Sequence, residues 1–323
     1  MEEKRREAVI DGLQYCNYSE QIFRDLRAGG VDAIHVTIAY HEDFREMVAN
    51  IVRWNGWFAA YSDLIFHGRT GADVALAQRA GRTAVFFGAQ NCSPIEDDIG
   101  LVEVCHTLGV RFMQLSYNNQ SLLAAGCYET EDSGITRMGR EVIAEMNRLG
   151  MVIDMSHSGR RSTLEAIDLS QRSIAITHAN PHSWQPVVRN KSDEVLKSLA
   201  GRGGMLGFSL YPLHLKGGPD CTLVEFCDMV ARTADLIGVG HLGIGSDLCQ
   251  DQPDGVVQWM RRGAWTKAAT DPAGFPPQPA WFRSNRDVPG LAAGLAKAGF
   301  AADEVAAIMG GNWRRFYEAS FAP

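Results

Sequence analysis

Eight short apolar segments recur along the chain, each rich in β-branched or aromatic residues and each followed by a stretch of different periodicity. They span residues 8–13, 31–39, 83–89, 111–117, 151–157, 173–179, 203–210 and 241–247. Between them, apolar residues recur at three- and four-residue spacing, which predicts helices over 96–108, 138–149, 160–168 and 222–237. Eight strands that alternate with helices predict a parallel sheet closed into a single (β/α)8 TIM barrel of the α/β class.

One segment departs from this alternation. Residues 255–285 are rich in Trp, Pro and Gly, too irregular for a regular element and too long for a simple connection. We interpret this segment as an insertion, either a lid or an oligomer contact, in one TIM-barrel domain spanning residues 1–323. A chain of 323 residues is an ordinary length for one such barrel.

Composition and charge argue against nucleic-acid and membrane partners. The formal net charge is −7, and the basic residues are scattered, so the sequence shows no electrostatic footprint for nucleic acid. The first residues lack the apolar core of a signal peptide, and no run reaches the roughly 18 apolar residues of a membrane span. We therefore expect a cytoplasmic protein without a membrane partner. The seven cysteines include no CxxC pair, which predicts reduced core residues.

The ends of the predicted strands carry the candidate chemistry, because TIM barrels build their active sites there. His157 and His178 end consecutive predicted strands, and Asp247 ends the last one. A single histidine at a strand end is more often an ordinary polar residue than a ligand. Barrel closure, however, brings these three residues to one mouth, where two imidazoles and a carboxylate suit a divalent metal such as zinc.

Other polar residues near these strand ends allow more than one interpretation. Asp154 points to the opposite strand face from His157, which favours a supporting role over metal ligation. Arg189 follows the His178 strand, where it either holds a carboxylate or is a surface residue at a helix start. His182 is interpreted as a loop residue that contacts substrate. The other histidines (35, 41, 67, 106, 214 and 241) show no spacing that indicates ligation and are assigned core or surface roles.

Five segments together resemble the membrane dipeptidase family in order and spacing. They are GITRMGREVIAEMNRLGMVIDMSHSG, AITHANPHSW, VVRNKSDEVL, HLGIGSDLCQD and GGNWRRFYE. The resemblance extends from about Val9 to the last of these, and the combination is far more specific than any one segment.

The resemblance implies a zinc-dependent hydrolase on a TIM barrel, acting as a homodimer. Family members use two zinc ions bridged by a carboxylate to hydrolyse a dipeptide. The resemblance assigns the second metal to His157 and His178, the substrate carboxylate to Arg189 with its neighbour Asn190, and the catalytic proton to Asp247.

Four other positions differ from what the family pattern leads us to expect. After the first strand the pattern has a histidine and an aspartate, where this chain has Leu13 and Tyr15. The bridging glutamate corresponds to Gln90, and a catalytic histidine corresponds to Tyr117. A neutral amide does not bridge two dications as a carboxylate does, so we expect at most one zinc ion per chain.

Three functional hypotheses follow from this pattern. The first is a mononuclear metal-dependent hydrolase of a small dipeptide-like, amide or lactone substrate that carries a carboxylate. In it, His157 and His178 bind the metal, Asp247 binds it or acts as general base, and Tyr117 donates a hydrogen bond to the developing oxyanion. The second is a metal-free binding protein or pseudoenzyme on the same barrel. The third is a metal-free enzyme in which Asp247 and the histidines transfer protons.

Overall fold

The computed structural model describes residues 6–263, 265 and 274–321. The strands are β1 (Ile10–Gln14), β2 (Ala33–Ala39), β3 (Ile65–Gly68), β4 (Thr83–Ala89), β5 (Val110–Gln114), β6 (Val152–Asp154), β7 (Ala175–Ile176), β8 (Met205–Phe208) and β9 (Leu242–Ile244). The helices are α1 (Glu20–Ala28), α2 (Phe44–Ala60), α3 (Ala72–Ala80), α4 (Gly100–Thr107), α5 (Arg137–Leu149), α6 (Arg160–Leu169), α7 (Asp193–Gly201), α8 (Leu223–Ile237), α9 (Val257–Arg262), α10 (Val288–Lys297), α11 (Ala302–Ala306) and α12 (Asn312–Ser320).

Eight of these strands form the closed parallel barrel that the sequence predicts. The hydrogen-bonded order is β1, β2, β4, β5, β6, β7, β8 and β9, and β9 returns to β1. All eight correspond to the apolar segments found in the sequence, so the predicted fold class is confirmed. Parallel strands place all their carboxyl ends at one mouth of the barrel.

The strand β3 is not among the predicted strands. Its four residues pair with the first half of β4, from Thr83 to Phe86, and β5 takes the same edge of β4 from Phe87 onward. A strand this short, outside the closed barrel, buries little apolar surface, so its sequence carries little periodic signal.

Local sequence accounts for where the predicted helices begin. The Thr222 side chain accepts from the Glu225 backbone N–H, and the Glu225 carboxylate accepts from the Thr222 N–H, so α8 begins where expected. The helix predicted over 96–108 begins only at Gly100, because the preceding turn at Ser93–Ile95 is a separate short 3-10 helix with Pro94 in it.

The C-terminal helix α12 closes the end of the barrel where the strands begin. Its Trp313 is fully buried, and the indole N–H donates to the Ile244 carbonyl at 2.9 Å. Gly12 and Gly243 permit this packing, since a Cβ on either would lie only 2.6 and 2.3 Å from the indole ring. The packing of Trp313 gives the GGNW segment a structural role. The opposite mouth of the barrel, where the strands end, remains open for a site.

Several other expectations concern the chain as a whole. All seven cysteines are free thiols and six are buried, as predicted. No helix in the described ranges is long and apolar enough to cross a bilayer. The predicted insertion at 255–285 contains residues 264 and 266–273, which lie outside the described residues. Its described part includes α9 and ends at the first residue of the short 3-10 helix Asn285–Asp287.

Candidate functional site

A cavity of about 440 Å³ opens at the carboxyl ends of the barrel strands, which is the size of a small-molecule site. Its lining comes from the segments that follow β1, β4, β5, β6, β7, β8 and β9, the last of which includes α9. The described lining residues that carry chemistry are Tyr15, Gln90, Tyr117, Asn118, His157, Arg189, Tyr211, His214, Asp247, Arg261 and Arg262. The site therefore lies where barrel topology predicts it.

A pair of histidines lies at the base of this cavity. His157 lines the cavity, and His178 lies fully buried next to it. Their Nε2 atoms are 3.0 Å apart. Burial lowers the pKa of both imidazoles well below the usual value, with the nearby Arg189 charge as the next cause. Both rings are therefore neutral, and each carries one proton and one lone pair.

Hydrogen bonds at the other ring nitrogens determine where those protons lie. His157 Nδ1 is 2.7 Å from the Asn118 side-chain oxygen, which only accepts, so Nδ1 carries the proton. His178 Nδ1 is 2.8 Å from the Thr177 hydroxyl, which itself donates to Asp154 at 2.6 Å. His178 Nδ1 is therefore also the donor. Asp154 thus supports His178 through Thr177, in line with the supporting role predicted for it.

The two Nε2 lone pairs consequently face each other across 3.0 Å. Two lone pairs this close repel unless a cation lies against both. Zinc binds imidazole nitrogens at about 2.0–2.1 Å in a tetrahedral arrangement, in which two such nitrogens are about 3.3 Å apart. The pair therefore fits two ligand positions of a single metal ion. Within the described part of the chain, no group of three His, Cys, Asp or Glu side chains is arranged to hold a metal.

Asp247 lies on the same cavity but not in a cluster with the histidine pair. Its carboxylate is 3.9 Å from His214 Nδ1, and its backbone N–H donates to the Leu13 carbonyl at 2.9 Å. Burial raises the pKa of Asp247 to about 7; the Arg189 charge opposes this, and Asp11 and Asp154 add to it. A carboxylate with a pKa near neutrality is suited to proton transfer.

The raised pKa of Asp247 predicts that this residue lowers the free energy of unfolding by an amount that depends on pH. An ordinary aspartate has a pKa near 3.9, so between about pH 4 and 7 the unfolded chain loses a proton that the folded protein retains. The contribution of Asp247 to wild-type stability therefore falls across this window and levels off above it. Asp247→Asn stays neutral, so its stability relative to wild type should rise by up to about 4 kcal/mol from pH 4 to 8.

Denaturant unfolding of the metal-free proteins at several pH values measures this difference. Asp235→Asn, at an exposed aspartate on α8, is the matched control and should show no such trend. A constant difference between Asp247→Asn and wild type from pH 4 to 8 would show that Asp247 is charged throughout.

Arg189 is a nearly fully buried cation at the wall of the cavity. One terminal nitrogen donates to the Ser156 carbonyl, and the other donates to the His178 carbonyl at 3.1 Å. Its Nε–H has no partner among the described residues, and no described carboxylate forms an ion pair with it. A buried guanidinium without a counter-charge is costly, so this arrangement favours an anion supplied by a ligand.

Tyr117 lies beside the histidine pair. Its ring stacks on the His157 imidazole with a centroid distance of 4.0 Å and an interplanar angle of 28°. Burial raises the pKa of the Tyr117 phenol above its usual value, so the hydroxyl keeps its proton and acts as a hydrogen-bond donor.

The positions expected to hold a first metal present neither imidazole nor carboxylate. Leu13 is fully buried and packs in one cluster with Tyr15, Tyr211 and Met260. Gln90 lines the cavity, and its amide donates to the Thr37 hydroxyl at 2.7 Å. Apolar and aromatic side chains fill this side of the mouth.

Two residues predicted to contact substrate lie elsewhere. His182 is exposed and does not line the cavity; its backbone N–H bonds to the Lys191 carbonyl. Asn190 is buried outside the cavity lining, where its side chain donates to the Gln185 and His214 carbonyls. Asn190 thus shapes the loop that carries Arg189, whereas His182 turns outward because Pro181 interrupts the segment after His178.

Conversely, the cavity contains His214, which was assigned a core or surface role. It lies in the short 3-10 helix Pro212–His214 after β8, and its Nδ1 is 2.8 Å from the Ser209 hydroxyl. In the sequence, a place in the site is indicated by the position of His214 a few residues beyond the end of a predicted strand.

Asn118 connects the histidine pair to the helix that covers the cavity. Its side-chain oxygen accepts from His157 Nδ1, and its side-chain nitrogen donates to the Arg261 carbonyl at 3.1 Å. Val257, Met260 and Phe275 from the same covering segment add apolar lining. The Asn118 side chain therefore couples the location of the proton on His157 to the position of α9.

Comparison with known proteins agrees with this barrel fold. The family model described as membrane dipeptidase (peptidase family M19) matches residues 19–260. The chain belongs to this family. Among curated relatives, dipeptidase tcpJ of Claviceps purpurea is 30% identical over 219 residues, covering 67% of this chain and 50% of that protein. The chain thus spans about half the length of the curated relatives it matches.

Solved structures of similar proteins cover nearly the whole chain. An amidohydrolase from Pseudomonas aeruginosa is 34% identical, with a TM-score of 0.93 over 98% of this chain and 97% of that one. A metallopeptidase from Rhodobacter sphaeroides, solved with a phosphinate mimic of the dipeptide L-Ala-D-Ala, has a TM-score of 0.80 at 18% identity. It covers 98% of this chain and 100% of its own, and shows that the fold is shared.

Proposed function

We propose that this membrane dipeptidase family member hydrolyses a small dipeptide-like amide that carries a carboxylate, using one divalent metal ion. The observation that carries the proposal is the facing pair of Nε2 lone pairs on His157 and His178. Both outer ring nitrogens already donate hydrogen bonds, to Asn118 and Thr177, so both inner nitrogens are free to bind a cation.

His157 and His178 would hold the metal. The chemistry that a divalent ion such as zinc supplies in hydrolases is polarisation of the carbonyl and a lowered pKa of water. Zinc is the expected ion because neutral imidazole is among its preferred ligands.

The remaining residues bind the substrate and move the proton. Arg189 holds the substrate carboxylate, which supplies the charge that the buried guanidinium lacks. Asp247 accepts a proton from the attacking water and returns it to the leaving amine, for which its pKa of about 7 is suited. The Tyr117 hydroxyl donates to the oxygen that gains charge on the former carbonyl. The covering helix α9 restricts access of bulk water.

A metal-free acid–base enzyme is the second candidate. It is favoured by the lack of a three-ligand metal group in the described residues, and by the pKa of Asp247.

Hydrolysis of N-acyl-alanines and dipeptides by zinc-loaded and metal-free protein distinguishes the candidates, with release of the free amine as the signal. We expect turnover only with metal, and a loss of about 10²- to 10⁴-fold in Asp247→Asn at equal metal content. Asp235→Asn serves as the control. Proton-transfer activity that persists without metal would favour the second candidate, and turnover unaffected by Asp247→Asn would contradict both.

Replacing Asn118 should weaken metal binding without touching a ligand. In Asn118→Ala, nothing fixes the proton on His157 Nδ1, so Nε2 is no longer held free for the metal. Loss of such a supporting hydrogen bond typically costs 10- to 100-fold in metal affinity. Competition with a coloured zinc chelator measures the change.

The chain offers a matched control for this variant. The neighbouring Asn119 makes the equivalent bond to the covering helix, donating to the Arg262 carbonyl at 2.7 Å, without contacting a histidine. Asn119→Ala should therefore retain zinc affinity. Equal losses in both variants would mean that the position of α9, and not the proton on His157, controls the metal.

A further inference from the structure

Two arginines on the covering helix give the cavity a second cationic side. Arg261 and Arg262, at the end of α9, both line it. The Arg261 guanidinium donates to the Tyr211 hydroxyl at 2.7 Å, which holds it at the wall. Asn118 and Asn119 fix the backbone at the same two positions through their bonds to the Arg261 and Arg262 carbonyls. The end of α9 is therefore tied down at several points.

The two arginines have no acidic partner among the described residues. Among the described residues, no carboxylate forms an ion pair with Arg261 or Arg262, and the only acidic residue in the described lining is Asp247. The described lining carries three guanidinium groups, from Arg189, Arg261 and Arg262, against one carboxylate, from Asp247. A substrate with a single carboxylate on Arg189 leaves the two arginines of α9 without an acidic partner in the described part of the cavity lining.

We propose that the cavity binds a small amide with two anionic groups, one held by Arg189 and the other, on the acyl side, by Arg261 and Arg262. This inference rests on the proposed function, because it adds a second contact to the Arg189 carboxylate site. The second group is a carboxylate or a phosphonate-like oxyanion, since both match a guanidinium fork. Val257, Met260 and Phe275 line the cavity beside these arginines and accommodate the connecting carbon chain.

Paired probes that differ only in the second charge test this inference. N-malonyl-, N-succinyl- and N-glutaryl-DL-alanine are titrated into the metal-free protein by calorimetry, each against the analogue whose acyl carboxylate is a carboxamide. We expect the best dianion to bind about tenfold to a hundredfold more tightly than its amide, as for a hydrogen bond to a charged group. N-phosphonoacetyl-DL-alanine, run alongside, shows which oxyanion the arginines prefer.

The double variant Arg261→Gln/Arg262→Gln should lower this ratio to about one while it still binds the amide analogues. Arg45→Gln, at an exposed arginine on α2 outside the cavity lining, should keep the ratio. The inference is wrong if no dianion binds more tightly than its amide, or if the double variant retains the preference. Because metal-free binding is measured, absence of hydrolysis leaves this result intact, whereas loss of every carboxylate preference would count against the proposed function itself.

Discussion

His178→Ala is expected to abolish tight metal binding, whereas wild-type protein loaded with zinc and dialysed should retain about one equivalent per chain. The physical reason is that the proposed site uses both facing Nε2 atoms, and one imidazole alone does not hold the ion. The loss should exceed the roughly 10- to 100-fold that a supporting residue costs. Elemental analysis gives the stoichiometry, and chelator competition gives the affinity.

The control for this experiment is His182→Ala. His182 lies only four positions along the chain but is exposed and outside the cavity lining, so its loss should leave zinc binding unchanged. Two equivalents of zinc in the barrel mouth would contradict the proposal of a single site, because the Leu13 and Tyr15 cluster would then have to rearrange. Retention of zinc in His178→Ala would place the metal elsewhere.

Arg189→Met should remove recognition of the substrate carboxylate. We expect wild-type protein to bind N-acetyl-DL-alanine about tenfold to a hundredfold more tightly than its carboxamide, and the variant to bind both equally. Arg189→Lys keeps the charge but loses the paired geometry, so it should lose on the order of 1 to 3 kcal/mol in binding the carboxylate probe. Calorimetry on metal-free protein measures each ratio.

The comparison of two probes within one variant separates recognition from folding. Arg189 also donates to the Ser156 and His178 carbonyls, and leaving these buried acceptors without a donor should lower stability by about 1 to 3 kcal/mol each. A general loss of structure weakens both probes alike, whereas a lost carboxylate site changes their ratio. An unchanged ratio in Arg189→Met would assign this arginine to loop structure alone.

The barrel was predictable because its signal is periodic and local. Each barrel strand is a short apolar run, and helices between them have their own spacing, so closure followed from the number and order of elements. The strand β3 was not predicted, because a short strand that pairs with only half of β4 and lies outside the barrel has little periodic signal in its sequence.

The site was predictable only in part, because its residues belong to different loops. His157 and His178 were expected to meet, and their Nε2 atoms are 3.0 Å apart. Asp247 reaches the same cavity but lies nearer to His214, a histidine that sequence spacing did not mark. The bond from Asn118 to the Arg261 carbonyl joins residues 143 positions apart, and no local pattern reports such a contact.

The sequence by itself determined the eight-stranded barrel, the mouth at which polar residues gather, and which residue types stand at the strand ends. These properties depend on hydrophobic periodicity and strand direction, which local sequence determines. Only the tertiary structure decided which nitrogen of each histidine carries its proton, that Arg189 is buried without an ion pair to a described carboxylate, and that α9 brings two more arginines to the cavity. Those properties depend on the distance and solvation of groups far apart in sequence, and both are set only when the chain has folded.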